Sequence, residues 1–399
     1  MNAESYLTTL CREIPGRSVG SVGNRVATSF FAQQVATYGF AVEMPSFDCL
    51  DWHQSGVELA VGGQSFSALV SPYSLGCQVS APLRVVSTLD ELVKAEMSGS
   101  ILMLRGEIAR EQLMPKNFTF YNPEEHQRII RLLEAGQPLA ILAATERNPQ
   151  MVGAVYPFPL IEDGDFDIPN AYLTAEDGQR LALCVGQIAR LAIRAQRLPA
   201  QGCNIIARKG SAAAGRVVLF AHIDAKAGTP GALDNAAGVA TLLLLAERLA
   251  NYSGKLAVEM VAMNGEDHYA SPGEVQYLQL NAGHFSEIVL GVNLDGLGYL
   301  HGDTAYSLYD CPAELAALIK KIMMGHAGMV QGDAWYQGDH ALFLMNQRPA
   351  LAITSQRAQD LLAEVVHTDK DQPELINVTK LETTAGALYE LVLTLEAIY

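Results

Sequence analysis

Residues 216–250, RVVLFAHIDAKAGTPGALDNAAGVATLLLLAERLA, constrain the fold more than any other stretch of the chain. The run RVVLF is apolar and β-branched without alternation, the pattern of a strand covered on both faces. A Gly/Pro turn follows, then an apolar segment long enough for a core helix, 235–250. A strand and a helix that both want burial must sit inside a layered α/β domain. Yet His222, Asp224 and Asp234 stand at the seam between them, where an ionisable group is costly unless it is paired or ligating.

The same alternation continues through the C-terminal half. Strands are predicted at 203–207, 216–221, 256–263, 287–293 and 350–354, and helices at 235–250, 272–281, 312–326, 338–346 and 379–397. Apolar strands separated by amphipathic helices imply an α/β fold with a doubly wound, mostly parallel sheet. Near the N-terminus a helix is predicted over 21–39, after the Gly-rich lead-in PGRSVGSVGN. Between 53 and 198 the texture changes to short strand candidates (GVELAV, LRVVST, SILMLRG, LAILAAT, IPNAYLT), with helices only at 124–136 and 176–191. The expected organisation is therefore one domain from 1–52 and 199–399, and a strand-rich inserted second domain, 53–198. A chain of 399 residues is long enough for two such cores.

In open α/β sheets, ligands gather beyond the C-terminal strand ends. Three successive strands deliver ionisable groups there: His222, then Glu266 with Asp267, then Asp295. Asp234 at the next helix start and His367 in the late loop VVHTDKD are within reach of the same edge. Each has a bland reading on its own: a hydrogen-bonded histidine, a helix N-cap for Asp234, a turn residue for Asp295. Those readings require independent accidents at one edge, whereas a single site accounts for all of them. Two histidines and three aspartates suit zinc, with cobalt or manganese as alternatives. Five ligands exceed one tetrahedral shell and suit two ions sharing a carboxylate. Asp224, two residues beyond His222, lies on the same side of an extended segment and is expected to hold the other imidazole nitrogen. Glu266 is left over as general base for a water in metal-assisted amide hydrolysis.

At this point the motifs AHID…PGALDNAAGVATLLLLAERL, NGEDHYASPGEVQYL, VNLDGLG, GDHALF and HTDKD resemble, in order, the signatures of metallopeptidase family 28, which contains di-zinc aminopeptidases and glutamate carboxypeptidase. The resemblance covers about 1–52 and 199–399. It implies one zinc held by His222, Asp234 and Asp295, a second by Asp234, Asp267 and His367, with Asp234 bridging, Glu266 as base and Asp224 orienting His222. The segment between is similar to a protease-associated domain, which implies a role in access or substrate contact. Three positions depart from the family pattern. Asp267 replaces a common Glu, and Val366 replaces a tyrosine that helps stabilise the tetrahedral intermediate in some members. Tyr269, Tyr299 and Tyr336 are the candidates for that role here. Gly338 opens GDHALF where Ser is common, and Asp339 and His340 are taken as supporting or substrate contacts.

The leading expectation is an aminopeptidase acting on peptides, its acidic cluster suited to an α-ammonium group. A glutamate-releasing carboxypeptidase would need basic residues at the pocket, and Arg348 and Arg357 are the candidates. A glutaminyl-cyclase-like acyltransferase would use a single zinc, with Glu266 shuttling a proton. A receptor-like module would have lost the ligand set, which this chain retains. No phosphate-loop or nucleophile-elbow motif is present.

The formal charge of −16 opposes nucleic acid or an anionic membrane as partner. The opening MNAESYLTTLCREIPGRS lacks a basic and then apolar leader, and no apolar run reaches the ~18 residues of a spanning helix. With six scattered cysteines and no CxxC, the expected setting is cytoplasmic. A homo-oligomer is compatible with all of this.

Overall fold

Every residue of the strand Arg216–His222 is buried. It runs parallel to Ala257–Met263 on one side and to Ile288–Leu294 on the other. The computed structural model describes residues 1–14, 16–147, 155–336 and 338–399. Among these the chain divides into two units, Met1–Cys49 with Ala200–Tyr399, and Leu50–Pro199.

The first unit is built on an eight-stranded sheet in the order Ala41–Glu43, Ile205–Lys209, Ala257–Met263, Arg216–His222, Ile288–Leu294, Ala350–Ser355, Thr304–Tyr309, Met329–Gln331. The four central strands are mutually parallel, and the strands flanking them pair antiparallel. Both faces are covered, as the unbroken apolar runs require. Val217, Leu219 and Ala221 share one core with the helices Ala237–Arg248 and Val378–Ile398. Phe220 points to the opposite face, its ring 4.8 Å from those of both Tyr277 and Phe343. Alternation within one strand thus serves two helical layers.

Several segments differ from expectation. The helix predicted over 176–191 ends early: Ala175–Ala182 is helical, and Ile188–Cys203 is a long strand. Gly186 at φ +82° reverses the chain between them. The helix predicted at 338–346 is reduced to Ala341–Met345. Thr304–Tyr309, Ala41–Glu43 and Met329–Gln331 are strands with no counterpart in the prediction.

The second unit has its own eight-stranded sheet. Cys77–Val86, Ile101–Arg105, Ala140–Thr145 and Asn170–Thr174 are parallel neighbours, and the sheet carries a separate apolar core on each face.

Away from the C-terminal strand ends, the first unit buries an ion network. Glu259, fully buried, accepts from Arg208 Nε at 2.6 Å, Arg216 Nη1 at 3.2 Å and the Tyr277 hydroxyl at 2.7 Å. Removing one member of such a network strands the others in a low-dielectric interior. Glu259→Ala is therefore expected to lower unfolding stability by about 3–5 kcal/mol, read by denaturant titration. A loss under about 1 kcal/mol would mean water replaces the carboxylate there.

Candidate metal centre

The parallel strands end in the ionisable groups. Arg216–His222 stops at His222; Glu266 and Asp267 follow Ala257–Met263; Asp295 follows Ile288–Leu294. The turn after His222 leads through Gly231 to Asp234, and the loop after the helix Ala358–Glu364 carries His367. Side-chain exposure grades from floor to rim: His222 1%, Asp267 3%, Asp234 12%, Asp295 20% and His367 21%. A ligand seated here is thus enclosed on one side and reachable from the other.

Asp234 is the centre of the arrangement. Its Oδ1 lies 2.9 Å from His222 Nε2, which is 3.6 Å from Asp295 Oδ1. Its Oδ2 lies 3.1 Å from His367 Nε2, which is 3.1 Å from Asp267 Oδ1. Each carboxylate oxygen thus faces a separate histidine–aspartate set. Neither nitrogen of His222 makes an aligned hydrogen bond, although both are buried, and Asp267 Oδ2 is likewise unpartnered. Nitrogen and oxygen ligands about 2.0–2.1 Å from a tetrahedral ion stand about 3.3 Å from one another. The observed separations bracket that edge, so the residues fit a metal better than they fit hydrogen bonding alone. Among the described residues, His222, Asp234 and Asp267 also bring ligand atoms within 4.8 Å of one another.

The electrostatics agree. Burial alone would push the His222 pKa down, but Asp224, Asp234 and Asp295 around it raise it well above the usual imidazole value. Burial pushes the Asp234 carboxyl up, and His222 with His367 outweighs it and holds the group well below the carboxylate range. Burial likewise opposes a charged His367, yet Asp267 and Asp234 bring it up to about 10. A crowd of carboxylates in a low-dielectric pocket demands positive charge, and a cation would satisfy it. Glu266, half-buried, is pushed well above the usual range by desolvation, with Asp267, Asp295 and Asp234 adding to it. His367 holds φ at +63°, a left-handed conformation uncommon outside glycine that concentrates at functional sites.

Asp224 stands beside the Nδ1 edge of His222. Its Oδ1 is 3.7 Å from His222 Nδ1, too long for a hydrogen bond. Its oxygens instead accept from the backbone N–H of Gly265 at 2.8 Å and of Asp267 at 3.0 Å. Asp224 therefore holds the Glu266–Asp267 loop and adds charge beside the imidazole. Asp339 and His340 are buried. His340 sits against Tyr309 and Trp335 and is 2.8 Å from the Trp335 carbonyl through Nε2, anchoring the 333–336 stretch. Asp339 is not the N-cap of the short helix, since His340 precedes Ala341 there, and its Oδ1 has no hydrogen-bond partner. Arg348 donates to the carbonyl of Ile288, at the start of a strand whose far end carries Asp295. Arg357 pairs with Asp360. Tyr269 is buried beside His268 near the Glu266 loop, Tyr299 stacks edge-on with His301, and Tyr336 is exposed against Tyr309.

Sequence reasoning missed three supports. Asn235 donates to the Leu294 carbonyl at 2.7 Å and accepts from Gly238 N–H at 3.0 Å, tying the Asp234 turn to the strand that carries Asp295. Glu274 is buried, its carboxyl pushed up to about 8 by desolvation and by Glu266. Asp371 binds the turn itself. A polar residue just after a ligand, as Asn235 is after Asp234, was the available signal.

Residues 204–392 match the model of peptidase family M28. The probable lipoprotein aminopeptidase LpqL of Mycobacterium tuberculosis is 24% identical over 300 residues, 74% of this chain and 57% of that protein. The probable leucine aminopeptidase 2 of Aspergillus fumigatus is 28% identical over 252 residues, 61% of this chain and 47% of that one. The chain thus spans about half the length of these curated relatives. BSAP, a zinc aminopeptidase from Bacillus subtilis, superposes with a TM-score of 0.75 at 18% identity, covering 99% of this chain and 94% of its own. No helix among the described residues is long and apolar enough to cross a membrane. The matched segment contains every strand end that carries the His/Asp cluster, so the likeness to peptidase family M28 falls on the part of the chain that builds the site.

Proposed function

We propose that this chain is a metal-dependent aminopeptidase using two zinc ions, with cobalt or manganese as functional substitutes. One ion would be held by His222, Asp234 and Asp295, the other by Asp234, Asp267 and His367. The observation that supports two ions is that Asp234 turns one oxygen toward each set, 2.9 Å from His222 and 3.1 Å from His367. When bound, the pair would supply Lewis acidity that polarises a scissile carbonyl and eases deprotonation of a water. Glu266 would take that proton: it sits next to Asp267 in the chain, and its enclosure favours the protonated form once the proton has arrived. It would then return the proton to the departing amine. Asp224 would keep Glu266 in place through its bonds to Gly265 and Asp267.

The acidic surroundings favour a substrate with a free α-ammonium group over one ending in a carboxylate. Arg348, at the opposite strand end, and Arg357, paired to Asp360, offer little support for a carboxypeptidase. The names of the two curated relatives, both aminopeptidases, support the same direction. We also read the Leu50–Pro199 unit as a protease-associated-like insertion, on its own sheet and cores. We propose a reducing, cytoplasmic setting, supported by six cysteines scattered along the chain with no CxxC pair.

The test is zinc content per chain together with turnover of aminoacyl p-nitroanilides, free and N-acetylated. The expected result is near two zinc ions and hydrolysis of the free-amine substrates only. One ion, with cyclisation of N-terminal glutamine peptides and no hydrolysis, would replace this reading with an acyltransferase. Cleavage of the acetylated substrates would remove the α-ammonium requirement.

A further inference from the structure

The residues that seat Asp234 lie far from it in sequence. Fully buried Asp371 accepts the backbone N–H of Leu233 on Oδ1 at 2.7 Å and that of Asp234 on Oδ2 at 3.1 Å. Its own carbonyl accepts from Ala232 N–H at 3.2 Å. Three consecutive amides of the turn therefore end on one residue. The carbonyls of the same turn go to Arg17, also buried. Its guanidinium donates to Pro230 at 2.8 Å and Gly231 at 2.8 Å, and reaches Ile223, on the outgoing side of His222, at 2.9 Å and Leu10 at 2.7 Å. Donors and acceptors of one short segment are thus divided between an aspartate and an arginine. Gly231 fits between them without a side chain: at φ +59°, an added Cβ would fall 2.6 Å from the Asp234 carbonyl and 2.8 Å from Arg17 Nη2.

We infer that Asp371, seconded by Arg17, is a positioning residue for Asp234, fixing the turn so that each carboxylate oxygen meets its own histidine–aspartate set. The inference rests on the metal reading above. A shared carboxylate has two directions to satisfy at once, and such constellations tolerate only about 0.5 Å and 10–20° of misplacement. A rotation of the Asp234 backbone that improved one half would spoil the other. Asp371 prevents it by holding the amide of Asp234 itself. It also lies four residues beyond His367, so one loop supplies a ligand to one half and the support for the group shared by both.

The experiment is zinc titration against a chromophoric chelator for wild type, Asp371→Asn, Asp371→Ala and Arg17→Lys. It is accompanied by the melting temperature of each metal-free protein and the visible spectrum of its cobalt form. Outer-shell partners of metal ligands typically contribute about 10- to 100-fold in metal affinity. The expected result is a loss of that size at both ion sites in parallel, with an altered cobalt spectrum. Asp371→Asn, which keeps one acceptor, should be milder than Asp371→Ala. Arg17→Lys should move the same readouts, because one ammonium cannot reach four carbonyls. If the variants bind two zinc ions with wild-type affinity and an unchanged cobalt spectrum, whatever their melting temperatures do, Asp371 is a structural clamp only and the inference fails. Wild type that takes up no zinc overturns the metal reading, and this inference with it. Should Asp371→Ala not fold, Asp371→Asn and Arg17→Lys decide.

Discussion

Glu266→Gln is expected to lower kcat on aminoacyl anilides by about 10²–10⁴-fold, the contribution of a positioned general acid–base, while the protein keeps its full zinc content. Glutamine preserves the shape of the side chain and removes its ability to accept and return a proton. Glu266 makes none of the close histidine contacts that mark the ligand cluster, so metal content should not change. KM should move little, because the lost interaction belongs to the transition state rather than to substrate binding. Zinc measured in the same preparation separates the alternatives. A variant that has also lost zinc would make Glu266 a ligand, and one that retains more than about a tenth of wild-type kcat would have a different base.

His222, Glu266 with Asp267, and Asp295 were legible because each stands at or just past the C-terminal end of a predominantly apolar strand. RVVLF cannot be a surface segment, so whatever follows it sits at a sheet edge, and the same holds for the runs before Glu266 and Asp295. The edge follows from burial, the parallel order from the alternation of strands with helices, and the ligand type from the residues that stand there. The supports were not legible for an equally physical reason. Asp371 meets the Asp234 turn across 137 residues, and nothing local to HTDKD distinguishes an aspartate that binds backbone amides from one on a solvated loop. Nor does the spacing of His222 and Asp224 reveal that the Asp224 carboxylate also accepts the amides of Gly265 and Asp267. Errors in the elements have similar sources. Leu181, Val185 and Ile188 keep a helix-like period past Gly186, so the helix was extended into what is a strand. Thr304–Tyr309 was passed over because its neighbours hide it from solvent rather than its own hydrophobicity: TAYSLY has polar residues at two of its buried positions, Thr304 and Ser307.

Changes at Asp234 should be the most damaging single substitutions in the chain, and they should differ in kind from those at the other four cluster residues. Asp295→Ala removes a group near His222 alone, and Asp267→Ala one near His367 alone; each should weaken one ion and leave the other. Asp234→Ala removes an oxygen from both sets, so zinc content should fall from near two to below one. Loss of an outer-shell partner already costs about 10- to 100-fold, and loss of the shared ligand should push kcat/KM beyond that range. Thermal unfolding gives an independent reading. A ligand that binds only the folded state stabilises it by about 2.7 kcal/mol at a hundred times its dissociation constant. Added zinc should therefore raise the melting temperature of metal-free wild type by several degrees, raise that of Asp295→Ala by less, and leave Asp234→Ala nearly unmoved. Asp234→Asn sharpens the comparison: the amide keeps one ligating oxygen and turns an NH₂ toward the other set, so it should retain a single ion. If Asp234→Asn holds two ions and melts with zinc as wild type does, the carboxylate is not shared. The 2.9 and 3.1 Å contacts to the two histidines would then be ion pairs, with each ion held independently of Asp234.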